Sequence, residues 1–117
     1  MPSSLLDESV LACVEVCADC AQACENCNYR CCEGSPDMVD CGRMCLDCAA
    51  LCRLCVILMS RGSAFAPRIC ELCAEICEQC AALCRTCDCE RCQLCAEQCL
   101  KCVAECRKFV AAAAATA

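Results

Sequence analysis

"CVEVCADCAQACENCNYRCC" (residues 13–32) places seven cysteines in twenty positions. The first six, Cys13, Cys17, Cys20, Cys24, Cys27 and Cys31, advance by steps of four, three, four, three and four. That alternation averages about 3.5 residues, the period of a helix packed against other helices, and excludes the period of two that strand pairing needs. Cysteine thus stands where such a helix normally carries leucine. Cys32 alone falls off its stripe.

Three later segments repeat the pattern: Cys41, Cys45, Cys48, Cys52, Cys55; then Cys70, Cys73, Cys77, Cys80, Cys84, Cys87; then Cys89, Cys92, Cys95, Cys99, Cys102, Cys106. The breaks between them carry turn chemistry. "EGSPD" (33–37) offers Gly34 to end a helix, Ser35 as N-cap and Pro36 in the first turn, and "RGSAFAP" (61–67) stops at Gly62 and restarts before Pro67. "RTCDCE" (85–90) has neither Gly nor Pro, which leaves Thr86 or Asp88 as cap. The expected fold is all-α: a single domain over 1–117, an antiparallel up-down-up-down four-helix bundle with a cysteine-lined core. Its helices span about 5–32, 37–61, 66–86 and 89–110, and the low-complexity tail 111–117 is expected to fray.

Extended past their cysteines, the stripes describe the two ends of such a bundle. Leu6, Val10, Met59 and Phe109, joined by Phe65 and Ala66, plug one end with apolar side chains. The other end collects Cys31, Cys32, Cys41, Cys84, Cys87, Cys89 and Cys92, with Met38 the only large neighbour. Columns one residue ahead of the stripe, Met44, Leu51, Leu58 and Ile69, Ile76, Leu83, are expected to widen the core between helices 2 and 3; the alternative is a subunit interface.

Composition narrows the function. The 117 residues hold 24 cysteines, no histidine, three aromatic residues (Tyr29, Phe65, Phe109) and a net charge of −6. Nothing basic or aromatic is arranged to read phosphates or bases, which argues against nucleic acid. Charged residues interrupt every apolar run, so no membrane span is expected. The opening residues lack a basic and apolar leader pattern, which leads to a cytoplasmic expectation. A small cysteine-rich chain often means a disulfide scaffold, but those are loop-rich and irregularly spaced. Helical neighbours at i and i+4 have Cβ atoms roughly 5–6 Å apart, whereas a disulfide wants about 3.5–4.5 Å. A metal bridging two sulfurs fits the wider gap.

Twenty-three cysteines in register are not explained by packing, since cysteine fills a core less well than leucine. Thiolates without histidine or inward carboxylate select Cu(I), zinc or iron–sulfur clusters. Zinc in four thiolates carries a net charge of about −2 per site into a low-dielectric interior. Cu(I) accepts two or three thiolates, shares them, and approaches neutrality at one ion per thiolate. Natural CxxxC chelates are Cys13/Cys17, Cys20/Cys24, Cys27/Cys31, Cys41/Cys45, Cys48/Cys52, Cys73/Cys77, Cys80/Cys84, Cys95/Cys99 and Cys102/Cys106. "CERCQLCAEQC" (89–99) also spells the C-x2-C-x2-C-x3-C run of bacterial ferredoxins, but Leu100 stands where that run has proline, and the stripe continues through it. Multiple Cu(I) ions per chain are the expected cargo. The rival readings are a metallothionein-like zinc or cadmium buffer and an iron–sulfur electron-transfer protein. No general base, oxyanion hole or open metal triad suggests an enzyme.

The repeated CxxxCxxC on four short-looped helices resembles the bacterial copper storage proteins over roughly residues 5–110, most specifically in "CVEVCADCAQAC", "CLDCAALC" and "CQLCAEQCLKCVAEC". The resemblance implies reversible storage of many Cu(I) ions, homotetramers, and a cytosolic location where no export signal is present. Members usually place histidines near the open end; this chain has cysteines there instead.

Overall fold

The computed structural model describes residues 7–116. Four helices follow one another: α1 (Glu8–Cys27), α2 (Val39–Arg61), α3 (Ala66–Arg85) and α4 (Glu90–Thr116). Each packs against its two ring neighbours, α1 on α2 and α4, and α3 on α2 and α4. Antiparallel register is explicit in the sulfur contacts: Cys13, Cys17, Cys20 and Cys27 of α1 meet Cys106, Cys102, Cys99 and Cys92 of α4 in reverse order. Cys41, Cys45, Cys48 and Cys52 of α2 meet Cys84, Cys80, Cys77 and Cys73 of α3 in the same way. The four-helix bundle is therefore as expected, with the thiols as its core.

Small residues let the helices approach closely enough for sulfurs to touch. Ala21, Ala49, Ala74, Ala81 and Ala96 are buried, each directly after a stripe cysteine. The column Met44, Leu51, Leu58, Ile69 and Ile76 is half-buried against the core, the widening role expected of it, and Leu83 is half-buried too. Ion pairs between neighbouring helices, such as Arg53–Glu25 at 2.6 Å, lie on the surface, where each contributes little.

The helix ends follow local chemistry. Gly62 is left-handed (φ 66°), and a pair of bonds closes α2: Gly62 N–H donates to the Met59 carbonyl and Ser63 N–H to that of Leu58. This is the Schellman arrangement, which needs a residue free to adopt positive φ. Gly34 is also left-handed (φ 78°), and Pro36–Met38 forms a short 3-10 turn ahead of α2. Ser35 stands at its N-cap, though its hydroxyl makes no capping bond.

Several details depart from the sequence expectation. The end of the first helix is a π turn, Asn28–Cys32, in which Glu33 N–H reaches back to the Asn28 carbonyl at 2.7 Å. The wider turn advances the register by one residue. Cys32 is thereby buried (4% exposed), and Cys31 turns to the half-buried rim, so the assignment of Cys31 to the stripe and Cys32 off it is reversed. Helix α4 runs past residue 110 to Thr116, as expected of alanine, the strongest helix former. At the third break Thr86 is the C-cap of α3, its hydroxyl donating to the Leu83 carbonyl at 2.7 Å. Gln93 Nε2 donates across the loop to the Cys84 and Arg85 carbonyls at the end of α3 and to the Cys87 carbonyl in the loop. At the plugged end Met59 and Ala66 are buried, with Val10 and Phe109 packed on the core. Phe65, at the N-cap position of α3, is 64% exposed and takes no part in the plug. Leu6 lies outside the described residues.

Candidate metal centre

Every described cysteine faces the interior except three at the rim: Cys31, Cys87 and Cys89 are half-buried, and the other twenty-one are buried. Cys31 and Cys89 form a disulfide that joins the π turn to the start of α4. No polar or charged side chain is buried among the described residues, so sulfur is the only donor the core offers.

Contacting sulfurs lie 3.3 to 4.0 Å apart, both within and between helices. Of the expected CxxxC pairs, Cys13/Cys17, Cys73/Cys77, Cys80/Cys84 and Cys102/Cys106 are in contact at 3.9–4.0 Å. Contacts between helices are as short or shorter, such as Cys48–Cys77 at 3.5 Å and Cys24–Cys95 at 3.6 Å. With metal–sulfur bonds of about 2.3 Å, simple trigonometry puts sulfurs about 3.8 Å apart around a tetrahedral ion and about 4.0 Å around a trigonal one. A linear pair needs about 4.6 Å. This spacing is thus ready for shared three- and four-coordinate sites, and a two-coordinate ion requires it to open by roughly 0.6–1.3 Å.

Groups of four sulfurs, all within 4.8 Å of one another, interlock along the core. Cys17, Cys73, Cys102 and Cys106 share Cys102 with the group Cys20, Cys52, Cys77 and Cys102. That group shares Cys20 with Cys20, Cys24, Cys48 and Cys99, which in turn shares Cys24 and Cys99 with Cys24, Cys80, Cys95 and Cys99. Ligand sharing is built into the packing. A fifth group, Cys27, Cys32, Cys41 and Cys92, lies at the open end.

The run 89–99 is not a separate cluster loop. Cys89 is paired with Cys31, while Cys92, Cys95 and Cys99 lie along one continuous helix and face α1.

Proton distribution follows from the same contacts. Cys17, Cys24 and Cys84 are held well above the ordinary thiol range, chiefly by hydrogen bonds with Cys102, Cys20 and Cys27 respectively, in which they keep their protons. Cys48 and Cys106 are held below it because neighbours, first Cys20 and Cys102 respectively, donate to them. At the open end burial raises Cys32 and Cys41, and pushes Cys92 up to about 11. Cys32, Cys41 and Cys92 are thus buried at the open end, and burial disfavours thiolate. An incoming metal must displace protons there.

Sequence reasoning missed two contributors. The buried alanines follow cysteine as a recurring Cys-Ala pair, a signal present in the sequence. Gly42 is the other: a Cβ on it would lie 2.6 Å from Asn28 Oδ1 and 3.0 Å from Cys32 Cβ. That close approach seats the π turn against α2.

A four-helix bundle whose core is an interlocked array of buried thiols belongs to the multinuclear thiolate metal-binding class. The family model described as copper storage protein matches residues 6–111, and the chain belongs to that family. The structure is similar to that of the Cu(I)-bound copper storage protein BsCsp3, with a TM-score of 0.83 and 39% identity over 88% of this chain and 99% of that one. Apo-Csp3 from Bacillus subtilis gives a TM-score of 0.79 and 40% identity over 85% of this chain and 96% of that one. A protein from Nitrosospira multiformis gives 0.82 and 32% over 90% and 97%. No curated protein sequence matches the chain.

Proposed function

We propose that this chain stores multiple Cu(I) ions inside its bundle. The observation that carries the reading is the interlocking of thiol quartets, four of which are linked in succession by shared sulfurs. Shared thiolates suit a monovalent soft ion, because one Cu(I) per thiolate leaves the buried array neutral. Discrete zinc sites at the same density would leave a large negative charge with no buried cation to offset it. The proposed ligands are the cysteines of the four stripes together with Cys32; Cys31 and Cys89 join them once their disulfide is reduced. Membership of the copper storage family and the Cu(I)-bound relative support the cargo.

The role is storage and not catalysis, a reading supported by membership of the copper storage family. No helix of the described chain is long and apolar enough to cross a membrane. A cytoplasmic location and association into homotetramers rest on the family resemblance. Leu46, Leu54 and Ile57, exposed at helical spacing on the outer side of α2, suit a contact between copies.

Anaerobic loading from a competing Cu(I) chelator, followed by metal analysis of the desalted protein, tests the proposal. Retention of many copper ions per chain, with no visible absorption, is the expected result. Retention of one or two ions, or the coloured spectrum of an iron–sulfur cluster, would overturn it.

A further inference from the structure

The open end holds a further thiol quartet, which borders the shaft, since Cys27 also bonds with Cys45 and Cys95. None of Cys27, Cys32, Cys41 and Cys92 belongs to the four interlocked quartets described above, although Cys41 also reaches Cys84 at 3.6 Å. The four come from four elements: Cys27 closes α1, Cys32 ends the π turn, and Cys41 and Cys92 stand in the first turns of α2 and α4. All are at most 5% exposed, and their sulfurs lie within 4.8 Å of one another, with Cys27 and Cys92 at 3.3 Å. The group exists only because the π turn brings Cys32 inward and Gly42 lets that turn approach α2.

We propose that this quartet is a distinct tetrathiolate site which, before copper loads, takes one divalent tetrahedral ion of the zinc class. Four sulfurs converging on one centre match the closed coordination of structural zinc. Its net charge of about −2 is unfavourable deep in the core but is offset here. Cys41 and Cys92 are the third residues of their helices, where the helix dipole favours negative charge. Asp40 and Glu90 on the same turns are exposed to solvent. An ion in this place ties the end of α1 to the starts of α2 and α4, as structural zinc ties segments in small domains.

Anaerobic titration of the reduced full chain with Co(II), a coloured stand-in for zinc, tests the site. The first equivalent should give tetrahedral ligand-field bands and sulfur charge transfer, both lost on adding one equivalent of Zn(II). Cys32→Ser should weaken that first equivalent by more than the ~10–100-fold typical of losing an outer-shell partner. Cys52→Ser in the middle of the core, and Cys31→Ser/Cys89→Ser at the rim, should leave it unchanged. Circular dichroism of metal-free Cys32→Ser should match the unaltered chain, and the Cu(I) capacity of the unaltered chain, measured separately, tells failure of this site from failure of the storage reading. Co(II) binding that survives Cys32→Ser, is lost in Cys52→Ser, or shows no distinct first equivalent would overturn the proposal.

Discussion

Replacing Gly42 with alanine sets two effects of opposite sign against each other. Alanine in a helix interior is worth about 0.8–1 kcal/mol over glycine, so propensity alone predicts a more stable protein. The added methyl, however, would sit 2.6 Å from Asn28 Oδ1 and 3.0 Å from Cys32 Cβ. Asn28 can swing aside, but Cys32 Cβ is fixed to the backbone of the π turn, so α2 and that turn must move apart. Overpacking of this kind costs about 1–3 kcal/mol. The net expectation is a loss of roughly 1 kcal/mol. With a urea slope of about 1–2 kcal/mol/M, the unfolding midpoint of metal-free, reduced protein should fall by roughly 0.5–1 M. Moving Cys32 should also weaken the first Co(II) equivalent, which ties the stability effect to the mouth. A midpoint that rises by the alanine increment, with Co(II) binding intact, would refute the claim that glycine is required there.

Stability of the metal-free protein should fall as pH rises from about 9 to about 11, since Cys92 ionises near 9 when unfolded and near 11 when folded. The unfolded chain loses the proton first in that window, so the contribution is complete below it and gone above it; unchanged urea midpoints between the two limits would contradict this. Met59→Ala should destabilise by about 2–5 kcal/mol, because Met59 is 2% exposed at the plugged end; calorimetry showing no drop in Tm would count against the plug. Replacing Cys41, Cys87, Cys89 and Cys92 by serine should slow Cu(I) uptake from a chelator more than it lowers capacity. The same change at Cys13, Cys17, Cys102 and Cys106 should do the reverse, and stopped-flow transfer to the two variants decides between them.

The bundle was legible because cysteine repeats over four segments at a period only packed helices share, and Gly62 and Pro67 punctuate it in agreement. The interior site was legible for the same reason: thiols on one face of each helix have nowhere else to go. The rim was not. A π turn leaves no periodic trace, and the sole hint was the adjacent pair Cys31-Cys32 on a stripe with room for one. Its cause lies ten residues on, in a glycine that looks like a mere weakness within a helical pattern. Gln93 was equally hidden, because a side chain that caps a different helix obeys no local rule. Phe65 misled because an aromatic residue near an apolar end is usually part of it, and here it is exposed.

The π turn also bears on how such a chain can change in length. Each residue of an α-helix rotates the next by about 100°. One residue inserted before Cys27 would therefore swing every later thiol of α1 away from its partner on α4. The extra residue of this chain falls at Asn28–Cys32, after the Cys27–Cys92 contact, and the connecting loop begins immediately beyond it. Single insertions are absorbed only at that margin, where one displaced thiol is exchanged for its neighbour. Growth of the interior demands matched additions in all four helices, a full turn at a time. Descendants of such a chain would vary freely at the mouth while the shaft stays fixed in steps.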